Sequence, residues 1–315
     1  MTSANLTSND IAGISIIGGL GVFGLCTNGI AMYILIGGGK MSQSFQQLCF
    51  SHCSANVIVL SFFLLYCTPM VILQSSFSHT TAVGKLIGGF MVAVWDVCVY
   101  SHLISSINRL VVICWPIESR NFLKQRNTTL MISAVWFLGL LHFLPYFKVD
   151  ECYVIFTSEN YLWSFSPNYC GFVLGKVLDF GTGVTVFALI ILFDVYTIYR
   201  VRTLMVVTGK RVRKSDLKFF AQSCLQFAAF VVKLTCFYFI SGFFTGDIVL
   251  YHWEVFFTTT FAWEFTHCID GLILIPFHYG DLRARRNGIS SSVMKQTRME
   301  LSRVMPVSAA KSSNY

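Results

Sequence analysis

Polar residues are so sparse along this chain that seven long apolar stretches stand out, at 11–36, 48–73, 86–114, 128–147, 176–203, 219–242 and 253–277. Each is near or above the ~20 apolar residues that cross a bilayer as a helix. None shows the strict alternation of a β-barrel strand. Helices also satisfy their own backbone hydrogen bonds, which lipid requires. The pattern predicts an all-α membrane protein, a seven-transmembrane helix bundle spanning 11–277. A short tail, 1–10, precedes it. A polar, basic tail, 278–315, follows, in which DLRARRNG predicts a short amphipathic helix at the membrane surface before a disordered end.

The charged residues orient the bundle. With the N-terminus outside, all of the 23 Lys and Arg except Lys85, Lys148, Lys176 and Lys233 fall on inner loops, inner span ends or the C-terminal tail. That asymmetry predicts an extracellular N-terminus and a cytoplasmic C-terminus. Composition agrees, with 55% hydrophobic residues, 12% charged and a mean hydropathy of +0.64. The net charge of +8 therefore marks topology and attraction to anionic inner-leaflet lipid, with no nucleic acid as partner. The outer tail carries a glycosylation acceptor at Asn5 in Asn5-Leu6-Thr7.

Of the 11 cysteines, nine lie in or beside spans, where a thiol serves as a small apolar filler. Cys152 and Cys170 share the one long outer loop. Outside the cell such a pair is expected to be oxidised to a disulfide, the alternative being two free thiols.

Ionisable groups within spans are rare and are candidates for function. At 1.5 Å of rise per residue, Asp96, Lys233 and Glu264 lie ~15, ~14 and ~16 Å below the outer face. Three helices thus bring charges to one level, and a buried charge needs a partner. The expectation is an outer ligand pocket in which Lys233 faces one or both carboxylates, lined by Trp95, Trp263 and Phe237. A purely structural ion pair between helices is the competing reading. A second level, within ~10–12 Å of the inner face, holds Asn28, Asn56 and Asp270. It reads either as a polar relay that repacks on activation or as interhelical glue. Asp194 is a further inner-half acid with no evident partner. Arg109, near the inner end of the third stretch, can reach the cytoplasm by extending its stem.

The stretches SSINRLVVICWP, LCFSHCSANVIVLSFFLLYCTP, FFAQSCLQF and HCIDGLILIPF, in their order along 10–285, resemble a rhodopsin-type G protein-coupled receptor. Within that family they are most similar to the nematode serpentine chemoreceptors of class X. The resemblance implies an external small-molecule ligand, a heterotrimeric G protein partner and a place in the plasma membrane, with the sensory cilium as the implied site. It makes Arg109 the switch arginine, Asn28 the span-one asparagine and Asn56 a neighbour of the usual span-two acid position. The departures are specific. Asn108 stands where the acid beside the arginine is usual, so Asp216 at the foot of span six becomes the candidate restraint. TAVGKLIGG lacks the usual cysteine at the outer start of span three. Span six has no proline, and Asp270-Gly271 stands for the usual Asn-Pro.

A seven-span transporter or ligand-gated channel would use Asp96, Lys233, Glu264 and Asp270 as a path. No internal repeat or Gly/Pro-broken helix supports it. A membrane hydrolase would need His102, His142 and His267 on one metal. No Walker loop, HExxH or GxSxG is present, so neither enzyme activity nor a cofactor or metal is expected.

Overall fold

In a computed structural model of the protein, residues 6–39, 41, 43–208, 214–244 and 250–304 are described, with side chains described outside 204–208, 214–216 and 289–304. It is an all-α, multi-pass membrane protein. Among the described residues six helices are long and apolar enough to cross a bilayer: α1 Ser8–Gly37, α2 Ser44–Ile72, α3 Ala82–Cys114, α4 Gln125–Phe147, α5 Tyr169–Thr203 and α6 Leu217–Phe244. A short helix, His252–Phe256, and a π-helical turn, Phe257–Phe261, lead into α7, Ala262–Val304. α7 buries Glu264, Thr266, His267, Asp270 and His278. The DLRARRNG segment, expected to form a short helix of its own, continues α7 instead. Arg285 donates to the carbonyl of Gly37 at 3.1 Å. The basic turn thereby meets the C-terminal end of α1, where unpaired carbonyls favour cations.

α1 begins with a reciprocal cap, in which Thr7 accepts from the Asp10 backbone and Asp10 accepts from the Thr7 backbone. This pairing satisfies donors that a helix start otherwise leaves open. The third helix is the axis of the bundle. It packs on α2, α4, α5 and α6, while α1 lies along α7. Apolar side chains cover both its inner and outer halves, so Met91, Ala93, Val94 and Val97 are fully enclosed.

The loop between α4 and α5, expected on the outer side, folds into a hairpin of β1 Val154–Thr157 and β2 Leu162–Phe165. Cys152 and Cys170 are disulfide-bonded at its base. The hairpin lies directly on α3. A Cβ at Gly88 would sit 1.9 Å from the Val154 carbonyl oxygen, so only glycine lets strand and helix meet here. The strand thus seats on α3 by close backbone approach in the region that lacks the usual cysteine. At the hairpin tip Tyr161, at φ +58°, donates its hydroxyl to Asp10 at 2.8 Å. Burial and that carboxylate push its phenol above the ordinary value.

Candidate functional site

The outer pocket is built from α3, α5, α6 and α7. Lys233 is 3% exposed. Its ammonium lies 3.5 Å from the Trp95 ring centre, 5.0 Å from Phe237 and 5.4 Å from Trp263. An ammonium on an indole face is attracted by the ring quadrupole, most strongly when desolvated. Asp179, which sequence reasoning missed, supplies a nearby negative charge. It accepts from Trp95 Nε1 at 3.1 Å and from the Tyr238 hydroxyl. The signal was available, since Asp179 is an ionisable group within the fifth apolar stretch, as Asp194 is.

The expected pairing of Lys233 with the two carboxylates is therefore corrected. Among the described residues no salt bridge joins Lys233 to Asp96 or Glu264. Asp96 Oδ2 instead lies 2.9 Å from His142 Nδ1 on α4, and His142 Nε2 lies 3.0 Å from the Tyr100 hydroxyl. Glu264 is fully buried, and among the described residues neither carboxyl oxygen has a hydrogen-bond partner. It faces α1, close to Gly21. Depth along the helices is common to these three groups, but helical phase sends them to different neighbours. The space left between Trp95, Lys233, Asp179, Phe237 and Trp263 is only about 20 Å³. Phe237 also lines a cavity of about 450 Å³ between the outer ends of α5 and α6.

The inner level is a hydrogen-bonded network. Asn28 donates to the carbonyls of Gly24 and His267, each at 2.9 Å. Asn56 donates to Asn28 Oδ1 at 3.3 Å and its own Oδ1 lies 2.7 Å from His267 Nδ1. Asp270 does not bond either asparagine. Its Oδ2 lies 3.0 Å from His52 Nε2 and 4.0 Å from His102 Nε2. A ladder continues along the inner half, with Gln226 on the Asp270 carbonyl, Gln222 on Gln226, and His278 on Gln222 at 3.0 Å. Sequence reasoning missed His52, the two glutamines and His278, and named His267 only as a metal ligand of a membrane hydrolase. The i, i+4 spacing of Gln222 and Gln226, which puts both on one helix face, was the available signal.

Arg109 is 4% exposed. Its Nε and Nη1 have no hydrogen-bond partner among the described residues. Phe45 lies under the guanidinium, 5.6 Å away. Phe45 in turn packs on Phe219 of α6 at 4.9 Å, and Phe219 stacks on His278 of α7 at 5.1 Å. Arg109 lines a cavity of about 230 Å³ with Gln43, Asn108, Arg120, Leu123 and Phe219. Asn108 turns away from it and donates to Ser44 at 2.6 Å. Asp194 of α5 accepts from Ser106, one turn from Arg109 on α3, at 2.7 Å, and among the described residues no ion pair joins it to Arg109. Asn5 and the side chain of Asp216 lie outside the described residues.

The three histidines considered together as metal ligands do not converge. His142 is engaged with Asp96 and Tyr100, and His102 groups with His52 and Asp270 instead.

Comparison with known proteins adds a family to this geometry. A family model described as "Serpentine type 7TM GPCR chemoreceptor Srx" matches residues 20–278. The chain is 21% identical over 273 residues to "Serpentine receptor class X 45" of Caenorhabditis elegans, across 80% of this chain and 74% of that protein. It is 24% identical over 205 residues to "Serpentine receptor class X-43" of the same organism, across 62% of each.

Proposed function

The chain belongs to the class X serpentine chemoreceptors, a family of receptors and not of enzymes, and from that premise we propose that it converts binding of an external small molecule into activation of a heterotrimeric G protein. In this reading α7 is the seventh span, the N-terminus is outside, and the C-terminus is cytoplasmic in the plasma membrane, as in a sensory cilium. The observation that carries it is the buried Arg109, with Nε and Nη1 unbonded among the described residues, at the edge of a cavity lined by Phe45 and Phe219, the latter stacked on His278. A cation held with open donors favours a state that supplies acceptors, such as the carbonyls at a partner helix C-terminus. Parting α6 from α2 and α7 would widen that cavity.

On the outer side, Lys233 and Asp179 offer both signs of charge within an aromatic enclosure, and Trp263 carries the enclosure onto α7. The enclosed space is too small for a ligand, so binding requires the aromatic side chains or α6 to shift. That requirement supplies the differential affinity for two states without which a ligand moves no equilibrium. Asn28, Asn56 and Asp270 lie between the two ends and form the relay. Asp194 supplies the restraint on Arg109, a part expected of Asp216. The test is a G protein dissociation assay in cells displaying the receptor, challenged with a broad panel of volatile and water-soluble compounds. Ligand-dependent dissociation supports the reading. Ligand-evoked uptake or current that persists without G protein refutes it in favour of a transporter or channel.

A further inference from the structure

His52 on α2, His102 on α3 and Asp270 on α7 are all buried, at 4%, 6% and 1% exposure. One ligand atom from each lies within 4.8 Å of the others. From this convergence we infer that the three residues form a binding site for a borderline transition-metal ion of the Zn²⁺ class.

The distances fit. Zinc bonds of about 2.0–2.1 Å in a tetrahedron set neighbouring ligand atoms about 3.3 Å apart. The contacts of Asp270 Oδ2 with His52 Nε2 and His102 Nε2, at 3.0 and 4.0 Å, bracket that edge. Small rotations of the two rings, which meet edge to face at 4.6 Å, would equalise them. The hydrogen bonding is also incomplete without an ion. Among the described residues the buried Asp270 Oδ1 has no hydrogen-bond partner, and the His102 contact at 4.0 Å is too long to be a hydrogen bond. Bound metal would hold the carboxylate and both imidazoles at once.

The donor set selects the ion. Two imidazole nitrogens and one carboxylate suit zinc and its neighbours, whereas sodium, magnesium and calcium call for a shell of oxygens. The three protein ligands leave a fourth position for water. The ion would tie α2, α3 and α7 together at the level of the inner network. This inference does not depend on coupling to a G protein, and its test does not use signalling.

The full chain, purified in lipid nanodiscs and stripped with a chelator, is titrated with ZnCl₂ while its thermal unfolding is followed. The expected result is a rise in Tm that saturates at one equivalent. His52→Ala and His102→Ala should each weaken it roughly tenfold or more, since loss of even an outer-shell partner has that scale. His79→Ala, at an exposed position, should leave it unchanged. Because either variant could misfold, Co²⁺ is also added to the wild-type protein, where intense visible bands report four-coordinate nitrogen and oxygen ligation. Absence of a saturable rise, unchanged zinc affinity in both variants, an equal response to Mg²⁺ or Na⁺, or only the pale spectrum of six-coordinate cobalt would overturn the assignment.

Discussion

His142 Nδ1 stands 2.9 Å from Asp96 Oδ2, so the acid at the centre of α3 is held by α4 and not by the lysine of α6. The Asp96 side chain is 2% exposed and that of His142 19%. Removing one member of a buried pair leaves the other without compensation, at a cost of about 3 kcal/mol or more. His142→Ala should therefore lower thermal stability markedly. Asp96→Asn combined with His142→Gln should cost less than the two single changes together, because an amide pair restores hydrogen bonding. Thermal unfolding of the four proteins as a double-mutant cycle measures the coupling.

Close packing of α1 on α7 rests on Gly271. A Cβ there would lie 2.7 Å from the Asn28 side chain and 2.8 Å from its backbone nitrogen. The backbone contact cannot be relieved by a rotamer change. Gly271→Ala should cost about 1–3 kcal/mol, seen as a lower Tm and reduced folded yield. Gly29→Ala, with nothing within 4 Å of its Cβ, should be neutral or stabilise by up to about 1 kcal/mol.

The outer hairpin is fixed twice, by the Cys152–Cys170 bond and by its seat at Gly88. The bond closes a separation of 18 residues, for which chain entropy predicts about 3 kcal/mol. Replacing both cysteines with alanine should lower Tm and abolish its sensitivity to reductant. Gly88→Ala should unseat the strand while leaving the bond intact. Limited proteolysis would then cut the hairpin faster in Gly88→Ala than in wild type, even without reductant.

The aromatic closure beside Arg109 predicts a separate effect. Phe219 touches both Phe45 and His278, so Phe219→Ala removes the contacts that hold α6 against α2 and α7. Basal G protein activation should rise several-fold at matched surface expression. No change would show that these rings do not hold the resting state.

The apolar runs made the membrane-crossing helices legible, because length and hydropathy are properties of a stretch. Side-chain partners are properties of helical phase and packing, and these were far less legible. Asp96, Lys233 and Glu264 share a depth, yet His142, the Trp95 ring and the α1 face take them apart. Asp270 was placed with Asn28 and Asn56 by the same arithmetic, but its nearest partner is His52. His102, His142 and His267 were visible as residues, but their partners were not, because a lone histidine in an apolar run carries no spacing signal. The hairpin of β1 and β2 was hidden for another reason, since its two four-residue strands are short and rely on the underlying α3 surface.

The central claim is that Arg109 is a restrained switch, with Asp194 as its counter-charge. The direct measurement is ligand-independent G protein activation by wild type, Asp194→Asn, Arg109→Ala and the double variant, at matched surface expression. The account predicts that Asp194→Asn raises basal activity several-fold, that Arg109→Ala reduces it to background, and that the double variant behaves as Arg109→Ala. Wild-type activity in Arg109→Ala, or an Asp194→Asn variant indistinguishable from wild type, would contradict it.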